Sequence, residues 1–316
     1  MAFFKNAVAI TKATFKEFSD FKIPTLSAAL AYYTVFSIAP MLIVIMSILD
    51  IFYGRTAVEG KIYGQLSSFV GPQAALQVQN IIRNAAISKD ITWASVVGIV
   101  ALVFSATSVF AEIQSSINMI WHLRAKPKKG ILKMLMTRLL SFSILISLGF
   151  IALVSLVINA LLDALTGRLV EQFPQITVYV VYIINLLLTF VFVSLLFAII
   201  FKVLPDAKVR WKDVIVGAIT TTVLFMLGKY GIGFYLGKSK VSSTYGAAGS
   251  IIVILLWVYY SSIILYLGAA FTRAFAMHLG RDIYPSDYAV FVKQVEIESK
   301  SSLREQPDKI VKEENS

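Results

Sequence analysis

Long apolar runs without a charged side chain dominate the chain. The longest extends over 32 residues, from Val241 to Thr272, and as a helix it would measure about 48 Å. The hydrocarbon core of a bilayer, about 30 Å thick, needs only about 20 helical residues. The other chargeless runs are Leu26–Leu49, Ile91–Ala111, Leu139–Leu162, Gln175–Phe201 and Val214–Gly228.

These six runs predict an all-α, polytopic membrane protein with six transmembrane helices and additional amphipathic helices at the membrane surface. The shortest run becomes long enough if Lys229 lies inside a helix that extends to Tyr235. A soluble α/β protein would instead alternate short apolar strands with amphipathic helices. The predicted spans are about 26–52, 91–117, 137–162, 175–201, 213–236 and 250–272.

Three of the segments outside the predicted spans have features of their own. Residues 1–25 form an N-terminal arm, and residues 276–316 form a tail that we expect to be disordered from about residue 294, where charged residues alternate with few apolar ones. Residues 57–88 carry two apolar stripes at helical spacing and predict two short amphipathic helices. Whether these helices form a packed cap or cover a cavity is left open.

Positive charge is distributed unevenly between alternate segments. Of the 29 Lys and Arg residues, 21 lie in the arm, in the segments after spans two and four, and beyond span six from Arg273 onward. The positive-inside rule therefore places both termini in the cytoplasm. The net charge of +11 is explained by this topology, and the basic face is expected to attract anionic lipid headgroups. Nucleic-acid binding would need a basic module interleaved with aromatic residues, and the sequence contains none.

The N-terminal arm has the pattern of an amphipathic helix over residues 3–18. Such a helix lies on an anionic leaflet as an interfacial anchor; docking onto a partner helix is the alternative. The apolar face carries Phe4, Val8, Phe15 and Phe18, and the basic face carries Lys5, Lys12 and Lys16.

Several kinds of chemistry have no support in the sequence. The chain has no Cys and only two His, His122 and His278, both near predicted span ends. It contains no P-loop and no pair of carboxylates at a spacing that would hold two metal ions. We therefore expect that the protein is not an enzyme, and that it holds no metal and no cofactor.

The polar and small residues within span six fall on two stripes at helical spacing, one of which also includes Ile254. They could line a cavity, because Tyr hydroxyls need partners away from water, or they could pack against other helices, since small residues and hydroxyls serve close helix contacts. The first stripe is Ser250, Ile254, Trp257, Ser261 and Gly268, and the second is Tyr259, Ser262 and Tyr266.

Span one contains Tyr32 and Pro40, which we include among the candidate pathway residues. Proline removes one backbone hydrogen bond and predicts a kink. In transporters such broken helices supply backbone groups to a buried site, although kinks also serve plain packing. The glycines assigned to helix packing or a hinge are Gly228, Gly231, Gly246, Gly249 and Gly268.

Two ionisable residues lie inside predicted spans and complete the candidate pathway. Lys229 is about eight residues, or 12 Å, from the outer end of its helix, so its side chain could snorkel part of that distance. Intramembrane charges more often face the protein interior or water and mark function. Glu112, in the inner third of span two, is the only acid at comparable depth. Because the two residues lie toward opposite ends of the predicted spans, a direct pair between them is left open.

Three strings resemble a known family, the YihY/BrkB proteins, over about residues 5–285. They are SAALAYYTVFSIAPML at Ser27–Leu42, NMIW at Asn118–Trp121 and YGAAGSIIVILLWVYYSSIILYLGAAF at Tyr245–Phe271. The resemblance implies a bacterial inner-membrane protein with six spans, associated with envelope integrity, serum resistance and suggested lipid or solute export. The family's former ribonuclease BN label is regarded as a misassignment. The family has no agreed catalytic residues that could be assigned to this chain.

From these observations we expect a transporter or exporter of a lipid or small anionic solute. Its polar pathway would lie between spans one, five and six. A non-transporting envelope scaffold is the first alternative, and a ribonuclease is the second. The lipid bilayer is the expected partner, and the faces of small residues permit a homo-oligomer.

Overall fold

The computed structural model describes residues 2–37, 72, 75, 76, 79, 91–126, 174–238, 249–281, 283–286 and 289–292. Pro40, Gly246, the predicted third span and the tail from residue 294 lie outside the described residues. Of the two helices predicted within 57–88, positions 72, 75, 76 and 79 are described, and these are helical.

The chain is mostly helical, as predicted. In chain order the helices are α1 (Ala2–Asp20), α2 (residues 23–37), α3 (Ile91–Ile120), α4 (Pro174–Val203), α5 (Trp211–Lys238) and α6 (Gly249–His278). Among the described residues, three segments are long and apolar enough to cross a membrane, namely Ile183–Val203, Trp211–Leu236 and Ile251–His278. These correspond to predicted spans four, five and six, and the full count of six spans stays a prediction.

Helix α5 packs against both α4 and α6, and α6 also contacts α1 and α3. The ends of these helices come together where α3 and α4 end, α5 begins and α6 ends; we call this the basal end. The core beneath it is apolar and well buried, and includes Ile117, Phe201, Val214 and Ala269. Burial of these apolar side chains orients the helices so that the polar residues of the last turns of α3, α4 and α6 and of the first turn of α5 meet at the basal end.

Four short strands at the basal end were not predicted from the sequence. Strand β1 (Leu123–Ala125) pairs antiparallel with β4 (Ala289–Phe291), and β2 (Ala207–Lys208) pairs with β3 (Tyr284–Pro285). Each strand has only two or three residues, which is too short for an alternating pattern to stand out. The pairing holds the first part of the predicted tail against the segments that follow α3 and α4.

A glycine cap turns the chain from α6 into these strands. Gly280 has a φ of 64°, and its N–H donates to the Met277 carbonyl at 3.0 Å. The N–H of Arg281 donates to the Ala276 carbonyl at 3.0 Å. This is the Schellman arrangement, in which a left-handed residue ends the helix and satisfies its last carbonyls.

Candidate functional site

Of the candidate pathway residues of α6, Trp257 packs against a neighbouring helix, whereas Ser261 and Ser262 are hydrogen-bonded within α6. Trp257 is buried, and its ring centroid lies 6.2 Å from that of Phe225 on α5 and 6.3 Å from that of Tyr260. The Ser261 hydroxyl donates to the Trp257 carbonyl at 2.9 Å, and the Ser262 hydroxyl donates to the carbonyl four residues earlier at 2.7 Å. Both hydroxyls are therefore satisfied within their own helix and need no partner on a neighbouring helix.

Tyr259 and Tyr32 lie in different surroundings. Tyr259 is half-buried on α6. Tyr32 is 58% exposed on α2, and its described ring contacts are with Tyr33 at 5.9 Å and Phe36 at 4.7 Å. These contacts stay within α2 and do not join Tyr32 to the polar residues of α6.

Glu112 and Lys229 lie at different levels of the helical bundle. Glu112 accepts a hydrogen bond from the Ser116 hydroxyl at 3.2 Å and lies about 12 Å before the end of α3. Lys229 is half-buried on α5, about 27 Å after its start. Since α3 ends and α5 begins at the basal end, the two residues are about 15 Å apart along the helix axes. That separation is too large for a direct ion pair.

Two matched glycine–threonine pairs hold α5 and α6 in close contact. A Cβ added at Gly217 would lie 1.9 Å from Thr272 Oγ1, and one added at Gly268 would lie 2.0 Å from Thr221 Oγ1. Each threonine hydroxyl donates to the glycine carbonyl of its own helix at 2.7 Å, Thr221 to Gly217 and Thr272 to Gly268. Each of the two antiparallel helices thus carries a glycine followed four residues later by a threonine, and the glycine of one helix lies against the threonine of the other. Both threonine hydroxyls keep a hydrogen-bond partner within this contact.

The remaining glycines assigned to packing or a hinge differ from one another. A Cβ added at Gly228 would lie 1.2 Å from the Tyr260 hydroxyl, which donates to the Leu224 carbonyl at 3.4 Å. Gly249 is buried at the start of α6. At Gly231 an added Cβ would meet no described atom within 4 Å, so this glycine does not serve a close contact between the described helices.

A cleft of about 580 Å³ opens at the basal end beside the last turns of α3. We call it the basal cleft. It reaches back along α3 to Ala111, about 14 Å before the end of that helix, which is also the last residue of the chargeless run of span two. Its polar lining consists of Gln114, Ser115, Asn118, His122, Arg124 and Asp206.

The wall of the cleft is built around the buried carboxylate of Asp206, whose residue is only 3% exposed. Gln114 Nε2 donates to Oδ1 at 3.1 Å, and Asn118 Nδ2 donates to Oδ2 at 3.0 Å. The backbone N–H of Asp206 donates in return to Asn118 Oδ1 at 2.8 Å, and its carbonyl accepts from the Ser286 N–H at 3.0 Å. This network fixes the α4–α5 connection to α3 and to the segment before β4.

Trp121 anchors the same end of α3 to α6. Its indole is 1% exposed, and Nε1 donates to the Ala269 carbonyl at 2.9 Å. The string NMIW therefore supplies two structural contacts, Asn118 to Asp206 and Trp121 to α6. His122 follows with a φ of 57°, a left-handed conformation that turns the chain from α3 into β1.

His122 connects the basal cleft to the N-terminal helix. The Phe21 ring lies edge-on to the His122 imidazole, with centroids 5.0 Å apart. Burial lowers the pKa of His122, and the positive charge of Arg273 acts in the same direction. Arg273 in turn forms an ion pair with Glu17 of α1. Burial raises the pKa of Glu17 to about 7, although Arg273 opposes this effect.

Replacing Glu17 by Gln should remove one contribution to the pH dependence of stability. Because the pKa of Glu17 rises from 4.5 to about 7 on folding, the folded state binds the proton more tightly between these values. The contribution of Glu17 to the free energy of unfolding is therefore greatest below pH 4.5, and it falls as the pH rises to 7. The measurement is the unfolding midpoint in detergent of wild type and of Glu17→Gln from pH 4 to 8. The difference between the two midpoints at each pH gives the contribution of Glu17.

The difference profile is needed because His122 acts with the opposite sign. Its lowered pKa removes stability as the pH falls through 6.5, but this contribution is common to both proteins. A difference that stays constant across the window would contradict the assignment to Glu17.

Sequence reasoning missed Asp206 and Gln114 as parts of a site. Asp206 is an isolated acid in a short connection, and no spacing signals its partners. Asn118 lies inside the NMIW string, so a signal existed for that residue alone. In the described part of the chain, no group of three or more His, Asp or Glu side chains could hold a metal ion.

Comparisons with known proteins agree on one family. A family model described as virulence factor BrkB matches residues 14–285. The chain is 28% identical over 275 residues to a UPF0761 membrane protein of Stenotrophomonas maltophilia strain K279a, covering 86% of this chain and 62% of the relative. A UPF0761 membrane protein of Xanthomonas axonopodis pv. citri is 28% identical over 267 residues, covering 84% and 60%. The chain thus spans about three fifths of the length of these curated relatives. No solved structure matches the chain.

Proposed function

The chain belongs to the virulence factor BrkB family of membrane proteins, and from this premise we propose that it exports a lipid or a small anionic solute across the bacterial inner membrane. The basal cleft is the observation that carries the proposal. It is open at the basal end, has a polar lining, and extends along α3 to Ala111, beside Glu112. A cleft that enters a membrane-spanning helix bundle from one side gives a substrate a place to bind before it crosses.

The charge of the basal end supports an anionic substrate and a cytoplasmic orientation. The residues exposed there include Lys22, Arg124, Lys126, Arg210 and Lys212. Positive charge attracts anionic solutes and headgroups over roughly one Debye length. By the positive-inside rule, the same residues support a basal end that faces the cytoplasm, with both termini on that side.

The close α5–α6 contact sets a requirement for this proposal. A pathway between spans one, five and six would require the Gly217–Thr272 and Gly268–Thr221 contacts to separate during transport. The lining of the basal cleft comes from α3, the residues that follow it, Phe21, Asp206 and Val292, and includes no described residue of α2, α5 or α6. A substrate that enters there would therefore have to pass from α3 toward the α5–α6 contact once that contact opens. No catalytic step is part of this proposal, and the Asp206 carboxylate serves it as a hydrogen-bonded structural group.

A non-transporting envelope scaffold is the second candidate function. The observation that favours it is the packing of α6 against α5, where Trp257 contacts Phe225 and Gly268 lies against Thr221. A scaffold would need these contacts to be permanent, whereas a transporter would need some of them to open.

Flux measurements in proteoliposomes distinguish the two functions. The probes are a fluorescently labelled phosphatidylglycerol and a set of radiolabelled small organic anions. We expect wild type to move one class faster than empty vesicles, and Lys229→Met to lose most of that flux, because an intramembrane charge more often marks a pathway than a lipid-facing position. Deletion of residues 294–316 is the control and should retain flux.

Two results would count against these expectations. Unchanged flux in Lys229→Met would remove Lys229 from the mechanism. No flux of any probe above empty vesicles, from wild type that elutes as a folded species, would favour the scaffold.

A further inference from the structure

Helix α1 has three distinct faces. The buried face carries Ile10, Thr14 and Glu17, with Ile10 7% and Thr14 5% exposed, and Glu17 forms an ion pair with Arg273 of α6. This face docks α1 onto the protein, where α1 packs against α6. Docking onto a partner helix was one of the two roles expected for α1. This docking uses only one face of the helix.

A second face of α1 is apolar and points away from the protein. Val8 is 55% exposed and Phe15 is 59% exposed. At 3.6 residues per turn they share one stripe, about 140° around the helix from the docked face. A helix that needed only to dock onto α6 would gain nothing from an exposed Phe and Val in register with each other.

The third face lies beside the apolar stripe and is basic. Lys12 and Lys16 are both exposed, about 70° farther around the helix from Val8 and Phe15. Asp20 is the exposed acid of the helix, and it lies beyond the lysines, away from the apolar stripe. An apolar stripe flanked by lysines is the pattern of a helix that lies in the headgroup region of an anionic membrane.

A separate feature indicates where the membrane surface meets the basal end. Trp211, at the start of α5, is 54% exposed, and Lys202 Nζ lies 5.4 Å from its ring centroid. Exposed Trp at the end of a spanning helix is enriched at the membrane–water interface. The docked face of α1 is bound to α6 at Arg273, five residues before the end of α6 and at this same end of the bundle.

We propose that α1 bridges α6 and the anionic leaflet at the basal end, with Val8 and Phe15 inserted among the lipid chains and Lys12 and Lys16 at the headgroups. Interfacial helices bury their apolar face about 5–10 Å into this region. The partner is the lipid surface itself, and the proposal is independent of whether the protein transports a substrate.

Spin labels at single cysteines test this proposal directly, since the natural chain has no Cys. The full-length variants Val8→Cys, Phe15→Cys and Ala13→Cys are labelled and placed in nanodiscs of phosphatidylethanolamine and phosphatidylglycerol. Collision of each label with oxygen, which partitions into lipid, is compared with collision with a water-soluble nickel chelate. Ala13 is exposed on the side of α1 away from the stripe and is the aqueous reference.

We expect the ratio of oxygen to nickel collisions to be severalfold higher at positions 8 and 15 than at position 13. Equal ratios at the three positions would place the apolar stripe in water and overturn the proposal. Protection of positions 8 and 15 from both reagents would show that a protein surface, either a partner or a second copy, covers the stripe, and this would also overturn it.

Charge reversal tests the anionic part of the proposal. In the Phe15→Cys background, Lys12→Glu with Lys16→Glu should lower the ratio at position 15 in nanodiscs containing phosphatidylglycerol. In nanodiscs of phosphatidylcholine alone, the same reversal should change the ratio little. An equal effect in both lipids would show that headgroup charge does not hold α1 in place. Because both lysines are exposed, the fold should tolerate the change, and an unaltered elution volume serves as the check.

Discussion

Asn118→Ala should lower the free energy of unfolding by about 3 kcal/mol. Asn118 is 7% exposed and satisfies two groups of Asp206, donating to Oδ2 at 3.0 Å and accepting from the backbone N–H at 2.8 Å. Alanine leaves both groups buried without that partner, and an unsatisfied buried group costs about 1–3 kcal/mol, more when it is charged. Unfolding in detergent with increasing SDS, followed by circular dichroism, measures the loss.

Two further variants separate this network from general packing. Gln114→Ala removes one hydrogen bond to Oδ1 from a half-buried residue, and it should cost only about 1 kcal/mol. In an Asp206→Ala background, Asn118→Ala should lower the free energy of unfolding by less than in wild type. The Asp206 carboxylate is then absent, and Asn118→Ala leaves only the backbone N–H of residue 206 without its partner. Strictly additive losses in the double variant would contradict a direct Asn118–Asp206 coupling.

Gly268→Ala should destabilise the protein by about 1–3 kcal/mol by forcing α5 and α6 apart. The added Cβ would lie 2.0 Å from Oγ1, 2.7 Å from Cγ2 and 2.9 Å from Cβ of Thr221. Thr221 is fully buried, and its hydroxyl is bonded to the Gly217 carbonyl, so it has little room to move. The loss would appear even though Ala is the better helix former by about 1 kcal/mol.

Gly231→Ala is the matched control on the same pair of helices. Its added Cβ meets no described atom within 4 Å, so the variant should be unchanged or more stable by about 0.5–1 kcal/mol. Thr221→Ala combined with Gly268→Ala removes two of the three closest atoms and should restore part of the loss. Equal stability of Gly231→Ala and Gly268→Ala would show that the α5–α6 contact is looser than the structure indicates.

The long helices were predictable from the sequence because hydrophobic length alone determines them. The runs that start near Gln175, Val214 and Ser250 lie within α4, α5 and α6, since each apolar segment must satisfy its backbone internally in a lipid environment. The strands and the Asp206 network were not predictable. They depend on contacts between segments far apart in the chain, such as Asn118 with Asp206, which no local pattern records.

The role of polar residues in α6 illustrates a second limit of sequence reasoning. A Ser inside a span can donate to a group on another helix or to its own backbone four residues earlier, and both uses have the same spacing. Ser261 and Ser262 do the latter. Among the small residues, Gly268 and Gly231 were given the same assignment, yet of the two only Gly268 lies against a neighbouring helix in the part of the chain that the structure describes. A glycine serves close packing only if it lies on the face where α5 and α6 meet. The sequence of α5 alone does not show which of its faces meets α6.

Blocking the basal cleft tests the proposed function most directly. Ser115 is exposed in the cleft, and Ser115→Trp would place an indole ring in it. Ile219→Trp places the same side chain on α5 at a position that is 42% exposed and outside the cleft lining. The measurement is flux of labelled phosphatidylglycerol and small organic anions in proteoliposomes of the two variants. We predict that Ser115→Trp abolishes most of the wild-type flux and that Ile219→Trp retains it; equal flux in both would contradict a pathway that begins at the basal cleft.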